Sequence, residues 1–178
     1  ASANGIHVAN TPGVLDNAVA EHACWMIGGI SRHVHTAHPS TVAGNWAPQG
    51  GVELRGRKVA ILGFGRIGQN LCQKLSFGFG MEVTGVDIVD ESLFSDQKDS
   101  IGYTNYTTDR DAAIADADYV VLLMAVVPAT KHIVNAEFLT KMKPTGILVN
   151  SARGALVKEN DLYDALESGA IGGAALDV

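Results

Sequence analysis

Positive charge is scarce in this chain. Its 178 residues carry 13 lysines and arginines against 19 aspartates and glutamates, a formal net charge of −6. A protein that grips a nucleic-acid backbone needs a basic face, so no nucleic-acid partner is expected. Cysteine is rarer still. Cys24 and Cys72 are the two present, too few for a disulfide framework, so a reducing, cytoplasmic setting is expected. No repeated or low-complexity tract interrupts the chain. Long hydrophobic runs are missing too. The most apolar stretch, residues 14–30, holds Asp16, Asn17, Glu21 and His22, whereas a membrane span takes about 20 mostly apolar residues. The opening residues lack the basic-then-apolar order of a secretory signal.

Apolar residues make up 47% of the chain and charged residues 18%, which suits a globular domain with its own core. Glycine is in excess, at 20 of 178 residues, against roughly 7% in average usage. Neither the opening residues nor the closing Gly-Ala-Ala-Leu-Asp-Val run reads as the edge of a domain.

Along the chain, residues 6–8 suggest a short strand and Asn10-Thr11-Pro12-Gly13 a turn. Apolar residues at helical spacing (Val19, Cys24, Met26, Ile27, Ile30) predict a helix from residue 16 to about 34. Residues 36–57 lack a period and read as a surface connection. Then the pattern changes to continuous apolar runs of strand length at 58–62, 82–86, 119–123, 146–149 and 174–176. Helical segments separate them, ending near 77 and covering 110–116, 136–142 and 159–168, while 88–108 reads as a loop with a short element. Buried strands alternating with helices predict an α/β fold with a doubly wound, parallel sheet of Rossmann type. Residues 1–57 are expected to be its entry segment and 58–178 the nucleotide-binding core.

Gly63, Gly65 and Gly68 fit the G-x-G-x-x-G spacing between a predicted strand and a predicted helix. In that setting the first glycine allows a tight turn, the second lets a pyrophosphate approach the backbone, and the third lets helix pack on strand. Phosphates would then meet the positive end of the helix. Asp87 follows Gly68 by 87 − 68 = 19 residues, at the end of the second predicted strand. There a carboxylate accepts hydrogen bonds from the ribose hydroxyls and repels a 2′-phosphate, which favours NAD over NADP.

With these motifs the chain resembles the D-isomer-specific 2-hydroxyacid dehydrogenases. Thr11-Pro12-Gly13 with Val19-Ala20-Glu21-His22 is similar to that family's entry to its nucleotide domain. Glu53-Leu54-Arg55-Gly56, the Leu62–Gly68 loop, Lys143-Pro144 with Val149-Asn150-Ser151-Ala152-Arg153-Gly154, and Gly172–Val178 follow in the family's order. The resemblance implies that Arg66 and Ile67 meet the pyrophosphate, and that Val126, Val127 and Pro128 pass the ribose and nicotinamide. It implies that Ser151 and Ala152 flank the nicotinamide end and that Asp177 bonds its carboxamide. It also makes Arg153 the catalytic arginine that binds the substrate carboxylate and polarises its oxo group. The residues alone agree on Arg153: it follows a buried strand, where open α/β sheets bind ligands, and a guanidinium fork matches a carboxylate.

The family pairs this arginine with a glutamate and a proton-donating histidine that lie beyond the strand holding Asp177. The six histidines here all precede Arg153 and match none of that histidine's position. The expectation is therefore one domain of a two-domain protein, inactive alone, with its substrate-binding domain and proton donor outside these 178 residues. Residues 124–127 also lack a proline that the family commonly carries there.

Other features read as ordinary. His33, His35 and His38 do not share a helix face and have no carboxylate at ligand spacing, so no metal site is expected. Cys24 and Cys72 read as packing residues. The apolar stripe of the first helix suggests a homodimer contact. The leading expectation is hydride transfer between NAD(H) and a small D-2-hydroxy acid/2-oxo acid pair. Two alternatives stay open: an NAD-sensing interaction protein like the corepressors that resemble this family, and a formate- or phosphite-type dehydrogenase.

Overall fold

A computed structural model describes residues 2–178. Its centre is a six-stranded sheet in the order β3-β2-β1-β4-β5-β6. The strands are β1 (Lys58–Leu62), β2 (Glu82–Val86), β3 (Asn105–Thr107), β4 (Tyr119–Leu122), β5 (Ile147–Asn150) and β6 (Gly173–Leu176). All pairings are parallel. The chain starts in the middle, walks outward through β2 and β3, then returns to β4 beside β1. That reversal makes the gap between the carboxyl ends of β1 and β4 the topological switch point, where such sheets bind ligands.

Helices cover both faces, which is why the strands are apolar on both sides. On one face Val59 and Ile61 of β1 and Val121 of β4 pack with Ala20, Ala23, Ile27, Leu71 and Leu75. These come from α1 (Asp16–Ser31) and from α3 (Arg66–Gln73) with the wide turn after it. On the other face Ala60, Leu62, Val120 and Leu122 pack with Ile114, Phe138, Leu139 and Leu162. Those belong to α5 (Arg110–Asp116), α6 (Ala136–Lys141) and α7 (Glu159–Glu167). Cys72 is fully buried and burial pushes its thiol up to about 12, as befits a packing residue.

Three expectations need correction. Residues 6–8 form no strand; they pair with nothing in the sheet, and Ile6 and Val8 are 57% and 76% exposed. The first helix stops at Ser31, because His33 takes a left-handed conformation (φ 53°) that an α-helix cannot continue through. The chain then re-enters a helix, α2 (Val34–Val42), inside the stretch read as a surface connection. That helix buries none of its residues and contains Pro39, so it carries no apolar period to be recognised. The third correction is β3, with the short α4 (Lys98–Ile101) before it. Both lie within 88–108. A strand of three residues at a sheet edge leaves little hydrophobic pattern.

Candidate cofactor-binding and catalytic site

Two clefts open at the carboxyl ends of the strands. The first, about 540 Å³, is lined by Gly63 and Gly65, by Val86 at the end of β2 with Asp87 and Ile88 after it, and by Thr108 and Arg110. The second, about 820 Å³, is lined by Leu15 and Val19, by Ile67, and by Val126, Ser151, Ala152, Arg153 and Gly154. Both share Leu123, Met124 and Ala125. Together they run along the switch point.

Gly63 turns the chain out of β1 with φ +97°, and a side chain there would press to 2.7 Å from the backbone of Leu123 and Met124. Gly68 faces the Gly63 carbonyl so closely that a β-carbon would collide with it. A β-carbon at Gly65 would meet nothing within 4 Å, so its backbone lies open to the cleft. No side chain caps α3 at Gly65, which leaves the first amides of the helix available to an anion.

Asp87 is pinned at both oxygens. Its Oδ2 accepts from the Phe64 amide at 2.8 Å and its Oδ1 from the Ile88 amide at 2.7 Å. Each carboxylate oxygen keeps a second acceptor position. Ile88 is 95% exposed and offers an apolar rim beside it.

Arg153 stands on a loop shaped by buried Asn150. The Asn150 Nδ2 donates to the Arg153 carbonyl at 2.9 Å, and its Oδ1 accepts from the Ala152 amide at 3.0 Å. The Arg153 guanidinium gives one bond, from Nη1 to the Ala152 carbonyl, and its other donors remain for a ligand. Beside it, the buried Ser151 hydroxyl has no partner among the described residues.

The structure thus gathers Gly63, Gly65, Asp87 and Val127 in the first cleft, and Ile67, Val126, Ser151, Ala152 and Arg153 in the second. Arg66, Gly68, Pro128 and Asp177 line neither. The Nε of Arg66 donates to Asp16 on α1 at 2.7 Å. Asp177 contacts His22 instead. Sequence reasoning missed Thr108 and Arg110, whose backbone follows the unrecognised β3. Arg110 is tied to Asp111 at 2.6 Å and lies over the Phe138 ring, so its charge is already partnered. Thr130 was missed as well. Its hydroxyl donates to the Ala125 carbonyl and accepts from the Val127 amide, both at 2.8 Å. That bracket holds the 125–130 loop in shape without the expected proline.

The model of one protein family, the D-isomer specific 2-hydroxyacid dehydrogenase NAD binding domain, matches residues 24–178. The chain belongs to this family. As a D-2-hydroxyacid dehydrogenase NAD-binding domain it is 36% identical to a glyoxylate reductase of Pyrococcus furiosus, over all of this chain and 54% of that protein. It is 34% identical to a D-3-phosphoglycerate dehydrogenase of Synechocystis, over all of this chain and 31% of that protein. Among solved structures, the TT0316 protein from Thermus thermophilus superposes with a TM-score of 0.88 at 32% identity, over 99% of this chain and 55% of that one. The dehydrogenase domain therefore spans about half or less of the length of these relatives.

The cofactor of the family's domain is NAD. The residues here fit it: Gly65 leaves its backbone open, the amino end of α3 is uncapped, Asp87 offers acceptors, and the Ser151 hydroxyl lacks a partner among the described residues. Among the described residues no helix is long and apolar enough to cross a membrane.

Proposed function

We propose that this domain serves the NAD-dependent interconversion of a small D-2-hydroxy acid and its 2-oxo acid. The observation that carries the reading is the joining of the two clefts at Leu123–Ala125. A dinucleotide laid along them has Asp87 at one end and Arg153 at the other.

In this reading Gly63, Gly65 and Gly68 shape the pyrophosphate turn, and the amides of Arg66 and Ile67 face the phosphates. Asp87 takes the adenosine ribose diol. Val126, Val127 and Pro128 belong to the loop that passes the second ribose and nicotinamide, Ser151 and Ala152 flank the ring, and Asp177 takes its carboxamide. When bound, NAD supplies the hydride acceptor or donor. Arg153 pairs with the substrate carboxylate and stabilises negative charge growing on the oxo oxygen. The proton comes from a group outside these residues, as does the substrate-binding domain. Residues 1–57 form the entry segment of the nucleotide domain.

The activities for which the relatives are named make glyoxylate, hydroxypyruvate and 3-phosphohydroxypyruvate the first substrates to try. A formate dehydrogenase of Granulicella shares the fold at 29% identity and a TM-score of 0.88, which makes formate the competing substrate. We also place a homodimer contact on the entry segment. The buried residues of α1 serve its own core, but Trp25, Val42 and Trp46 stay 70%, 74% and 87% exposed. Sedimentation of the complete protein as a monomer would remove that contact.

The deciding experiment is a spectrophotometric assay of the complete protein with NADH and each 2-oxo acid. Consumption of NADH supports the reading. Oxidation of formate instead, or NAD-dependent capture of a protein partner without any turnover, would replace it.

A further inference from the structure

Phe64, between the first two glycines of the loop, has a side chain that lines neither cleft. It is 1% exposed and lies over Gly85 in the middle of β2. A β-carbon at Gly85 would come within 2.6 Å of the ring, at the ring atom nearest its stem. Glycine weakens a strand interior, and room for this ring accounts for its presence.

Three more rings close around Phe64. The centroids of Phe94, Tyr103 and Tyr106 stand 5.8, 5.6 and 5.9 Å away, at tilted or edge-on angles that aromatic pairs favour. Phe94 and Tyr106 also meet each other at 5.0 Å. Two of the rings reach back to the segment after Asp87. The Tyr106 hydroxyl donates to the Val89 carbonyl at 2.7 Å, and the Tyr103 hydroxyl to Glu91 at 2.9 Å. Burial pushes both phenols up to about 12, so both remain donors at neutral pH. Phe94 anchors the far end of the same segment.

Asp87 sits between the two anchored pieces of chain. The amide on its Oδ2 belongs to Phe64, and the amide on its Oδ1 belongs to Ile88. The donors that aim the carboxylate thus come from segments the ring cluster holds. We propose that Gly85 and the cluster of Phe64, Phe94, Tyr103 and Tyr106 are positioning residues for Asp87, and that by aiming its carboxylate they set the preference for NAD over the 2′-phosphorylated cofactor. This rests on the reading of Asp87 given above. A ribose diol presents two hydroxyl donors in one geometry, so a fixed carboxylate binds it best. A carboxylate free to turn aside opposes a 2′-phosphate less.

Calorimetric titration of the chain with ADP-ribose and with 2′-phospho-ADP-ribose tests this. The wild type should bind ADP-ribose at least about tenfold tighter than its 2′-phosphate form. Gly85→Ala should weaken ADP-ribose binding by about tenfold and narrow that ratio, whereas in an Asp87→Asn background it should cost less than about twofold. Phe64→Leu, which removes the ring the other three close around, should narrow the ratio as well. An equal loss with and without Asp87 would mean the rings merely support the fold, and overturns the proposal. If Gly85→Ala does not fold, Tyr106→Phe removes only the hydroxyl that holds Val89. It should narrow the ratio by about threefold with Asp87 present and leave it unchanged without; an unchanged ratio with Asp87 present overturns the proposal. A wild type that binds neither ligand overturns the reading of Asp87 and the proposal with it. A wild type that binds ADP-ribose while every variant keeps its ratio overturns the proposal alone.

Discussion

The Nε2 of His22 on α1 lies 3.2 Å from Oδ1 of Asp177, just past the end of β6. In the sequence these residues stand far apart. The family resemblance places Asp177 on the nicotinamide carboxamide and His22 in the entry motif of the nucleotide domain. Both are about half exposed, 46% and 49% at the side chain, so the contact by itself adds little stability. Its consequence is orientation. We expect His22→Ala in the complete protein to raise the KM for NADH by about twofold to fivefold, with Tm unchanged and ADP-ribose binding intact. Equal losses for NADH and ADP-ribose would detach His22 from the nicotinamide end.

Asp87→Arg should weaken NAD binding by about tenfold and relax the discrimination against NADP. The substitution replaces a carboxylate held by two backbone amides with a cation suited to a 2′-phosphate. Titration with both cofactors checks it. An unchanged preference would sink the assignment of Asp87.

Arg153→Ala, made in the complete protein, should lower kcat/KM by about a hundredfold or more and leave NADH binding in place. The Asn150 bonds that shape the loop use the main chain at positions 152 and 153, so they survive the change. Turnover close to wild type would show that another group polarises the substrate.

Gly63→Ala should cost about 2 kcal/mol or more of stability, from the left-handed backbone and the contact with the strand opposite. The neighbouring Gly65→Ala has open space around it and should leave Tm nearly unchanged while weakening NAD binding. Thermal melts with and without NAD separate the two. Equal destabilisation by both would contradict the division of labour between turn and cradle.

Asp118, just before β4, ties the amino end of β1 to the connection ahead of β5, accepting from the Lys58 amide and from Lys143 Nζ, each at 2.9 Å. Burial favours its neutral form, but these bonds and the nearby Arg57 outweigh burial and hold its carboxyl below the usual value. A carboxyl held low in the folded state gives stability that is present above its unfolded pKa. That stability is lost as pH falls through the folded one. Asp118→Asn should therefore lower Tm at neutral pH and flatten the fall in Tm as pH drops through and below the ordinary carboxylate range. An identical acid limb in both proteins would exclude Asp118 as its source.

The strongly patterned parts were legible in the linear chain. The apolar runs of β1, β2 and β4, the glycine spacing and Asp87 at a strand end each follow from interactions between near neighbours or from burial on both faces of a sheet. Arg153 was legible through its position after a buried strand and through the motif around it. The pieces that escaped leave no period: α2 buries none of its residues, and β3 is a three-residue strand at the sheet edge. Composition and spacing therefore decided the fold class, the glycine turn and the acid that follows it. Tertiary packing alone decided which distant residues meet: Asp16 with Arg66, His22 with Asp177, and the Phe64 ring with Gly85. Such contacts join residues whose separation along the chain carries no signal, because their distance is set by how helices and strands pack and not by any local preference.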